Sequence, residues 1–203
     1  MSNRLGLAHH DLFEKAGILH RDISIGNLMV DASEPAQGVL IDLDFAVRVA
    51  QHGNPVDGET FPPAGTLIFR AFDLLTPDNP LKAYYRHDLE SFFYTLLWIQ
   101  MHYVNGKKHV HPNANSFDFN FDATWSSTQD RKIGFLLRSC YIDGYQLPLT
   151  SLRDEWLTPI HRMFGEALEA RNTFRREGEG ATLDQETFGG RITYEAFENV
   201  IRR

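Results

Sequence analysis

Three polar side chains in the first quarter of the chain have the types and spacing needed to transfer a phosphoryl group. Asp22 ends a His-Arg-Asp run, Asn27 follows five residues later, and Asp42 comes directly after a short apolar run. A carboxylate can take the proton of a hydroxyl nucleophile, while an amide oxygen and a second carboxylate can hold magnesium against nucleotide phosphates. The pattern therefore predicts Asp22 and Asn27 as catalytic residues and Asn27 and Asp42 as metal ligands.

The segments around these residues indicate how the fold would position them. Apolar residues at helical spacing, followed by Gly17, predict a first helix that ends just before the catalytic run. The short apolar segments 28–30 and 39–41 are separated by a turn with Pro35 and Gly38, so they predict a β-hairpin. Residues 47–63 are rich in proline and glycine, and we expect a long loop there.

The sequence from residue 88 onward predicts mainly helices. Residues 88–103 are apolar on nearly every face, which is typical of a helix buried at the centre of a core. Ser127, with Asp130 three residues on, resembles a capping box and predicts the start of another helix. Residues 151–174 and 194–201 carry two more amphipathic patterns. The fold class predicted is mainly α with a small β-hairpin.

The bulk composition limits the function classes. A net charge of −7 argues against a general nucleic-acid binder, which would normally present a basic face. Cys140 is the only cysteine, which excludes an internal disulfide framework and a cysteine-rich metal site and suits a reducing compartment. No signal-peptide pattern or bilayer-spanning run is visible. We therefore expect an intracellular chain, cytoplasmic or nuclear, with no nucleic-acid or membrane partner.

Other polar residues have simpler structural interpretations. His9 and His10 lie in the predicted first helix, and we expect them on its exposed face. At the end of the predicted helix 151–174, a charged helix end is expected from Arg171, Arg175 and Arg176.

Taken together, the motifs resemble the large, C-terminal lobe of a eukaryotic-type protein kinase, and more narrowly the fungal-type protein kinase family. The resemblance covers about residues 5–98 and depends on four signals in order: the His20-Arg21-Asp22-Ile23-Ser24 run with Asn27, the Leu40-Ile41-Asp42-Leu43-Asp44 strand end, Gly65-Thr66, and the run from His87 to Phe93. The last run is typical of the fungal family. The resemblance implies one kinase-like lobe over residues 1–203, with a catalytic loop at about 18–30, an activation segment at about 42–73 and a central buried helix at about 87–103.

The resemblance also implies a role for each matching residue. Asp22 would orient the substrate hydroxyl, and Asn27 and Asp42 would bind magnesium. Asp42 matches the metal-binding acid of the Asp-Phe-Gly motif, although Asp44-Phe45-Ala46 is an alternative alignment. The supporting residues would be His20, Arg21, Thr66 as a brace for the catalytic acid, and Asp88 as a hydrogen-bond acceptor for the loop backbone. In addition, Asp73 stands where the glutamate of Ala-Pro-Glu would be.

The activity implied by this resemblance is phosphorylation of a protein Ser/Thr hydroxyl, with ATP and Mg²⁺ as cofactors. Only nineteen residues precede His20, so we expect the nucleotide-binding small lobe to be missing, and enzymatic activity stays open. The alternative is a truncated or pseudokinase lobe, a non-catalytic module that binds a protein partner over the face where the small lobe would pack. The protein substrate and any cofactor-binding residues beyond the metal ligands do not follow from the sequence.

Overall fold

A computed structural model describes residues 3–31, 33, 38–50, 64–75, 82–104, 107–108, 124–138, 150–177 and 183–202. Within these ranges the chain is mainly helical with small antiparallel sheets, which confirms the mainly α prediction. Helix α1 spans Asn3–Ala16, and it ends at Gly17 as predicted. Gly17 has a φ of 63°, and its N–H donates to the Phe13 carbonyl at 2.7 Å, so a residue without a side chain closes the helix.

Three pairs of short strands accompany the helices in the described ranges. Strand β1 (Ile18–Leu19) pairs with β4 (Val47–Arg48), and β5 (Tyr103–Val104) pairs with β6 (Lys107–Lys108). The predicted hairpin is confirmed as β2 (Leu28–Val30) and β3 (Gly38–Leu40). The prediction of a loop over residues 47–63 was wrong for its first two residues, which form strand β4. Two residues are too few to show the alternation of apolar and polar side chains that predicts a strand. Residues 51–63 lie outside the described ranges.

Helix α2 (Tyr85–His102) forms the centre of the core, as its apolar sequence predicted. Leu89, Phe93 and Met101 are fully buried, and burying a side chain of this size contributes about 1.5–3 kcal/mol. The helix also buries polar side chains, among them Arg86, His87, Asp88 and Glu90. Buried polar groups require partners, and these partners lie in the segments around the candidate site. Neither α2 nor any other described helix is long and apolar enough to cross a membrane.

The remaining helices pack around α2. Helix α3 spans Trp125–Leu136, α4 spans Thr150–Leu152, and a π-helical turn at Arg153–Leu157 leads into α5 at Thr158–Glu177. The last helix, α6, spans Tyr194–Ile201. Phe93 of α2 stacks with Phe135 of α3 at 6.1 Å and with Phe164 of α5 at 6.0 Å between ring centroids. These rings join three helices into one apolar core.

The boundaries of three helices differ from the sequence predictions. Helix α2, predicted over residues 88–103, spans Tyr85–His102. The cap of α3 is Thr124, whose Oγ1 accepts a hydrogen bond from the Ser127 N–H at 3.2 Å, so the prediction of Ser127 as the cap was wrong. Ser127 instead lies in the first turn, where its free N–H needs a partner. Helix α5 extends to Glu177, three residues beyond the predicted end of the amphipathic segment.

Candidate functional site

The carboxylate of Asp22 is held by donors from two segments. Oδ1 accepts hydrogen bonds from the backbone N–H of Thr66 at 2.9 Å and from its hydroxyl at 3.3 Å. Oδ2 accepts a bond from the Asn27 amide nitrogen at 3.1 Å, and the same nitrogen donates to the Asp22 carbonyl at 2.8 Å. Bonds of this kind favour the ionised carboxylate and fix its orientation. The structure thus brings Asp22, Asn27 and Thr66 together.

Asn27 and Asp42 are joined through the β2–β3 hairpin. Asn27 ends a 3₁₀ turn, Ile25–Asn27, and its carbonyl accepts a hydrogen bond from the Ile41 N–H at 3.0 Å. Asp42 therefore follows directly after the residue that pairs with Asn27. Asp42 is exposed, and its Oδ1 accepts a bond from the Asp44 N–H at 3.3 Å. Asp44 thus occupies the turn after Asp42 and supports its orientation.

His20 links the two halves of this arrangement. Its ring is fully buried, with Nε2 at 2.9 Å from the Ile41 carbonyl and Nδ1 at 3.3 Å from the Asp22 N–H. A carbonyl can only accept and an amide N–H can only donate, so His20 carries its proton on Nε2 and accepts through Nδ1. The ring therefore ties the backbone at Asp22 to the strand end that leads into Asp42.

Asp88, at the start of α2, holds the backbone of the loop that leads into Asp22. Its carboxylate accepts hydrogen bonds from the N–H groups of His20 at 2.8 Å and Arg21 at 3.0 Å, and it lies 2.8 Å from Nε2 of His9. Burial alone would raise the pKa of Asp88, but the bond from His9 and the nearby histidines and backbone N–H outweigh burial and lower that pKa. Asp88 is therefore an ionised, buried anchor of the loop.

The prediction that His9 lies on the exposed face of α1 is wrong, because its side chain is fully buried. Its Nε2 pairs with Asp88 and its Nδ1 lies 2.8 Å from the Tyr194 hydroxyl. Both partners are remote in sequence, so helical periodicity could not reveal them.

The backbone is strained on both sides of the candidate site. Arg21 has a φ of 68° and Asp42 a φ of 66°, a left-handed conformation that residues other than glycine adopt uncommonly. Gly65 has a φ of 85°, and a Cβ atom there would lie 2.5 Å from the Arg21 carbonyl oxygen. A side chain at position 65 would therefore prevent the segment that carries Thr66 from approaching the backbone at Arg21 this closely.

Two guanidinium groups lie near the acids of the loop. Arg70 donates from Nη2 to the Gly65 carbonyl at 2.7 Å, and Arg21 donates from Nη1 to the Phe45 carbonyl at 3.4 Å. Burial lowers the pKa of Arg70, and the charge of Asp22 opposes that effect. Burial likewise lowers the pKa of Arg21, against the charge of Asp88. Both remain cations at neutral pH and stabilise the ionised carboxylates. Arg70 was not predicted, since nothing local to it in the sequence marks a site.

The segment after Thr66 is fixed by a partly buried acid with two arginine partners. Asp73 accepts bonds from Arg86 of α2 at 2.7 Å and from Arg171 of α5 at 2.6 Å. Of the three arginines predicted as a charged helix end, Arg175 and Arg176 do lie in the last turn of α5, whereas Arg171 is only 7% exposed and pairs with Asp73. Arg86 and Arg171 also lie over the ring of Phe188, at 3.9 and 5.5 Å. Sequence reasoning missed this cluster, as its members lie on three separate elements.

A second buried pair braces the same segment. Lys132 of α3 donates to the Ile68 carbonyl at 2.9 Å and to the Arg70 carbonyl, while Glu90 accepts the Phe72 N–H at 3.0 Å. Burial raises the pKa of Glu90 and lowers that of Lys132, and the opposite charge of each partner moderates the shift. The backbone from Ile68 to Asp73 is therefore fastened to α2, α3 and α5 by side chains.

The ligands available for a metal are an amide and a carboxylate. In the part of the chain that the structure describes, no three His, Cys, Asp or Glu side chains form a metal-binding group. Magnesium does not need such a group, because it commonly binds through one or two carboxylates together with water and substrate phosphates. The Asn27 amide nitrogen is engaged by Asp22, which leaves its Oδ1 as a hard ligand beside the strand end that carries Asp42. The donor set thus fits Mg²⁺ held jointly with a nucleotide.

Comparison with known proteins shows what this part of the chain is similar to. No curated protein matches the chain. Residues 7–100 match the family model described as fungal protein kinase. The matched stretch contains the loop with Asp22 and Asn27, the strand end with Asp42, the brace Thr66 and the anchor Asp88. Helices α3 to α6 lie beyond it. Over residues 7–100, the chain is therefore similar to the fungal protein kinase family.

Proposed function

We propose that this chain is the large lobe of a fungal-type protein kinase, and that it carries the groups that direct transfer of a phosphoryl group from ATP to a protein Ser/Thr hydroxyl. One observation carries the proposal. Asp22 is held through both carboxylate oxygens by Thr66 and Asn27, while its loop is anchored on Asp88. The family match over residues 7–100 supports the same reaction class.

The residues of the site have complementary tasks. Phosphoryl transfer leaves little covalent chemistry to the protein, so positioning and charge stabilisation dominate catalysis. Asp22 would accept a hydrogen bond from the substrate hydroxyl and hold it in line with the phosphate. Asn27 keeps the carboxylate of Asp22 in place through its amide nitrogen, and His20 ties the loop to the strand end before Asp42.

Asn27 and Asp42 would hold magnesium through Oδ1 of the amide and through the carboxylate. The ion, when bound, neutralises charge on the phosphate oxygens of ATP. The left-handed backbone of Asp42 supports this assignment, because strain of this kind persists where surrounding structure imposes a functional conformation. It also favours Asp42 over Asp44, whose N–H donates to the Asp42 side chain.

A second candidate function is a non-catalytic interaction module, and one observation is consistent with it. Large apolar side chains are exposed beside the site, on the β2–β3 hairpin and the residues after it: Met29, Val30, Val39, Ile41, Leu43 and Phe45. Clustered apolar exposure of this kind marks an interaction surface. A protein partner or a kinase small lobe would cover it equally well, so this surface is compatible with both functions.

Magnesium should stabilise the chain through Asp42. At about ten times its Kd, bound Mg²⁺ adds about 1.4 kcal/mol, which raises the melting temperature of a domain of this size by about 3–6 °C. We expect Asp42→Asn to remove this rise in a thermal-shift titration with and without nucleotide. Asp11→Asn, on the exposed surface of α1, is the matched control and should respond like wild type. An equal rise in wild type and Asp42→Asn would reject the metal assignment.

A further inference from the structure

A series of buried hydrogen bonds connects the last helix with the catalytic loop. The Tyr194 hydroxyl of α6 lies 2.8 Å from His9 Nδ1, and His9 Nε2 lies 2.8 Å from the Asp88 carboxylate. Asp88 in turn accepts the backbone N–H groups of His20 and Arg21. Tyr194, His9 and Asp88 are all buried, so water does not compete for these bonds.

The chemistry of the groups fixes the direction of each bond. An ionised carboxylate only accepts, so His9 must donate its Nε2–H to Asp88. In its neutral form, an imidazole that donates from Nε2 has an acceptor at Nδ1, and the Tyr194 hydroxyl is then the donor that satisfies it. Burial raises the pKa of Tyr194 far above its ordinary range, so the phenol keeps its proton. The hydrogen bond from Tyr194 to Nδ1 therefore favours the tautomer of His9 that carries its proton on Nε2, which is the tautomer that can donate to Asp88.

The position of Tyr194 is itself well determined. Its ring stacks between His10, at 4.2 Å, and Tyr85, at 4.6 Å between centroids. This packing directs the hydroxyl at His9. At the other end of the series, Arg21 has a left-handed backbone, which persists only where neighbouring bonds over-determine it. The two N–H bonds to Asp88 are the bonds that hold this strained turn directly before Asp22.

We infer that Tyr194 is a positioning residue for the catalytic loop: it fixes the tautomer of His9, which orients Asp88 and thereby the backbone of His20 and Arg21. Helix α6 lies outside the stretch that matches the kinase family, so a part of the chain with no family motif helps to shape the site. The catalytic meaning of this inference rests on the proposed function, but the structural coupling does not.

The chain provides a matched pair of variants to test the coupling. Tyr194→Phe removes the hydroxyl that reaches His9. Tyr85→Phe removes a hydroxyl from the neighbouring stacked ring, where it donates to the Ile192 carbonyl at 3.3 Å and takes no part in the series. We expect Tyr194→Phe to speed amide hydrogen exchange at His20 and Arg21 by about five- to tenfold, the equivalent of one lost hydrogen bond. Exchange in α5 should stay within about twofold of wild type, and Tyr85→Phe should leave His20 and Arg21 unchanged.

A second measurement reports the tautomer of His9 directly. Nitrogen-15 chemical shifts of the His9 ring in the wild-type chain should show a protonated Nε2 and an unprotonated Nδ1, and in Tyr194→Phe a mixture of tautomers. The inference is overturned if Nδ1 carries the proton in wild type, if the loop amides do not respond to Tyr194→Phe, or if α5 or Tyr85→Phe responds equally. Because no nucleotide is used, failure here is distinct from failure of the proposed function, which phosphoryl transfer by Asp22 variants decides.

Discussion

Replacing Asp73 with alanine should destabilise the fold by about 3–5 kcal/mol, the effect of removing one partner from a buried ion pair. The change leaves the guanidinium groups of Arg86 and Arg171, which are 2% and 7% exposed, without their carboxylate. Because small domains are stable by only about 5–15 kcal/mol, this is a large part of the total. It would also release the segment that carries Thr66. The measurement is the urea midpoint at neutral pH.

The effect of Asp73→Ala should depend on pH in a defined direction. Burial would raise the pKa of Asp73, but Arg86, His87 and Arg171 outweigh burial and lower it below its ordinary value of 3.8. A lowered folded-state pKa means that the stabilisation is complete above the unfolded-state pKa and is lost as the pH falls through the folded-state pKa. The difference between wild type and variant should therefore be full at pH 7 and shrink below about pH 4.

An exposed pair of the same chemistry is the control for this prediction. Asp154 bonds to Arg153 at 2.6 Å on the surface, and Asp154→Ala should leave the urea midpoint unchanged because exposed ion pairs are weak. If Asp73→Ala were as mild as Asp154→Ala, the cluster would not fasten the segment after Thr66 to α2 and α5.

Asp88→Ala should be the second most damaging change, with a loss on the order of 1.5–3 kcal/mol. It removes the acceptor of the His20 and Arg21 N–H groups and the partner of His9, and it leaves those donors buried. The strained backbone at Arg21 would relax as well. A urea midpoint for Asp88→Ala equal to that of the surface variant Asp11→Ala would contradict the role of Asp88 as the loop anchor.

The features that the sequence predicted are those encoded by local patterns. The buried helix α2 follows from its apolar residues, and the β2–β3 hairpin follows from two short apolar runs around a turn. The candidate site residues follow from their order and spacing in segments that lie close together. Asp22 and Asn27 are five residues apart, and the hairpin brings Asp42 to them.

The features that the sequence missed depend on contacts between distant segments. His9 is buried because its two ring nitrogens find partners 79 and 185 residues away, on α2 and α6. Arg171 is buried because it meets Asp73 from 98 residues away. A polar residue on a helix looks solvent-exposed in sequence, since only the tertiary structure supplies the partner that makes its burial favourable.

The proposed role of Asp22 in phosphoryl transfer can be tested directly with radiolabelled ATP. The assay joins the 203 residues to the small lobe of a fungal protein kinase. It compares wild type, Asp22→Asn and the surface control Asp11→Asn with a mixed protein substrate. We expect phosphoryl transfer by wild type and Asp11→Asn in the joined form. The rate of transfer by Asp22→Asn should be lower by about 100-fold or more. Undiminished transfer by Asp22→Asn, or no transfer by the joined wild type, would contradict the proposed role, and the second result would favour the interaction module.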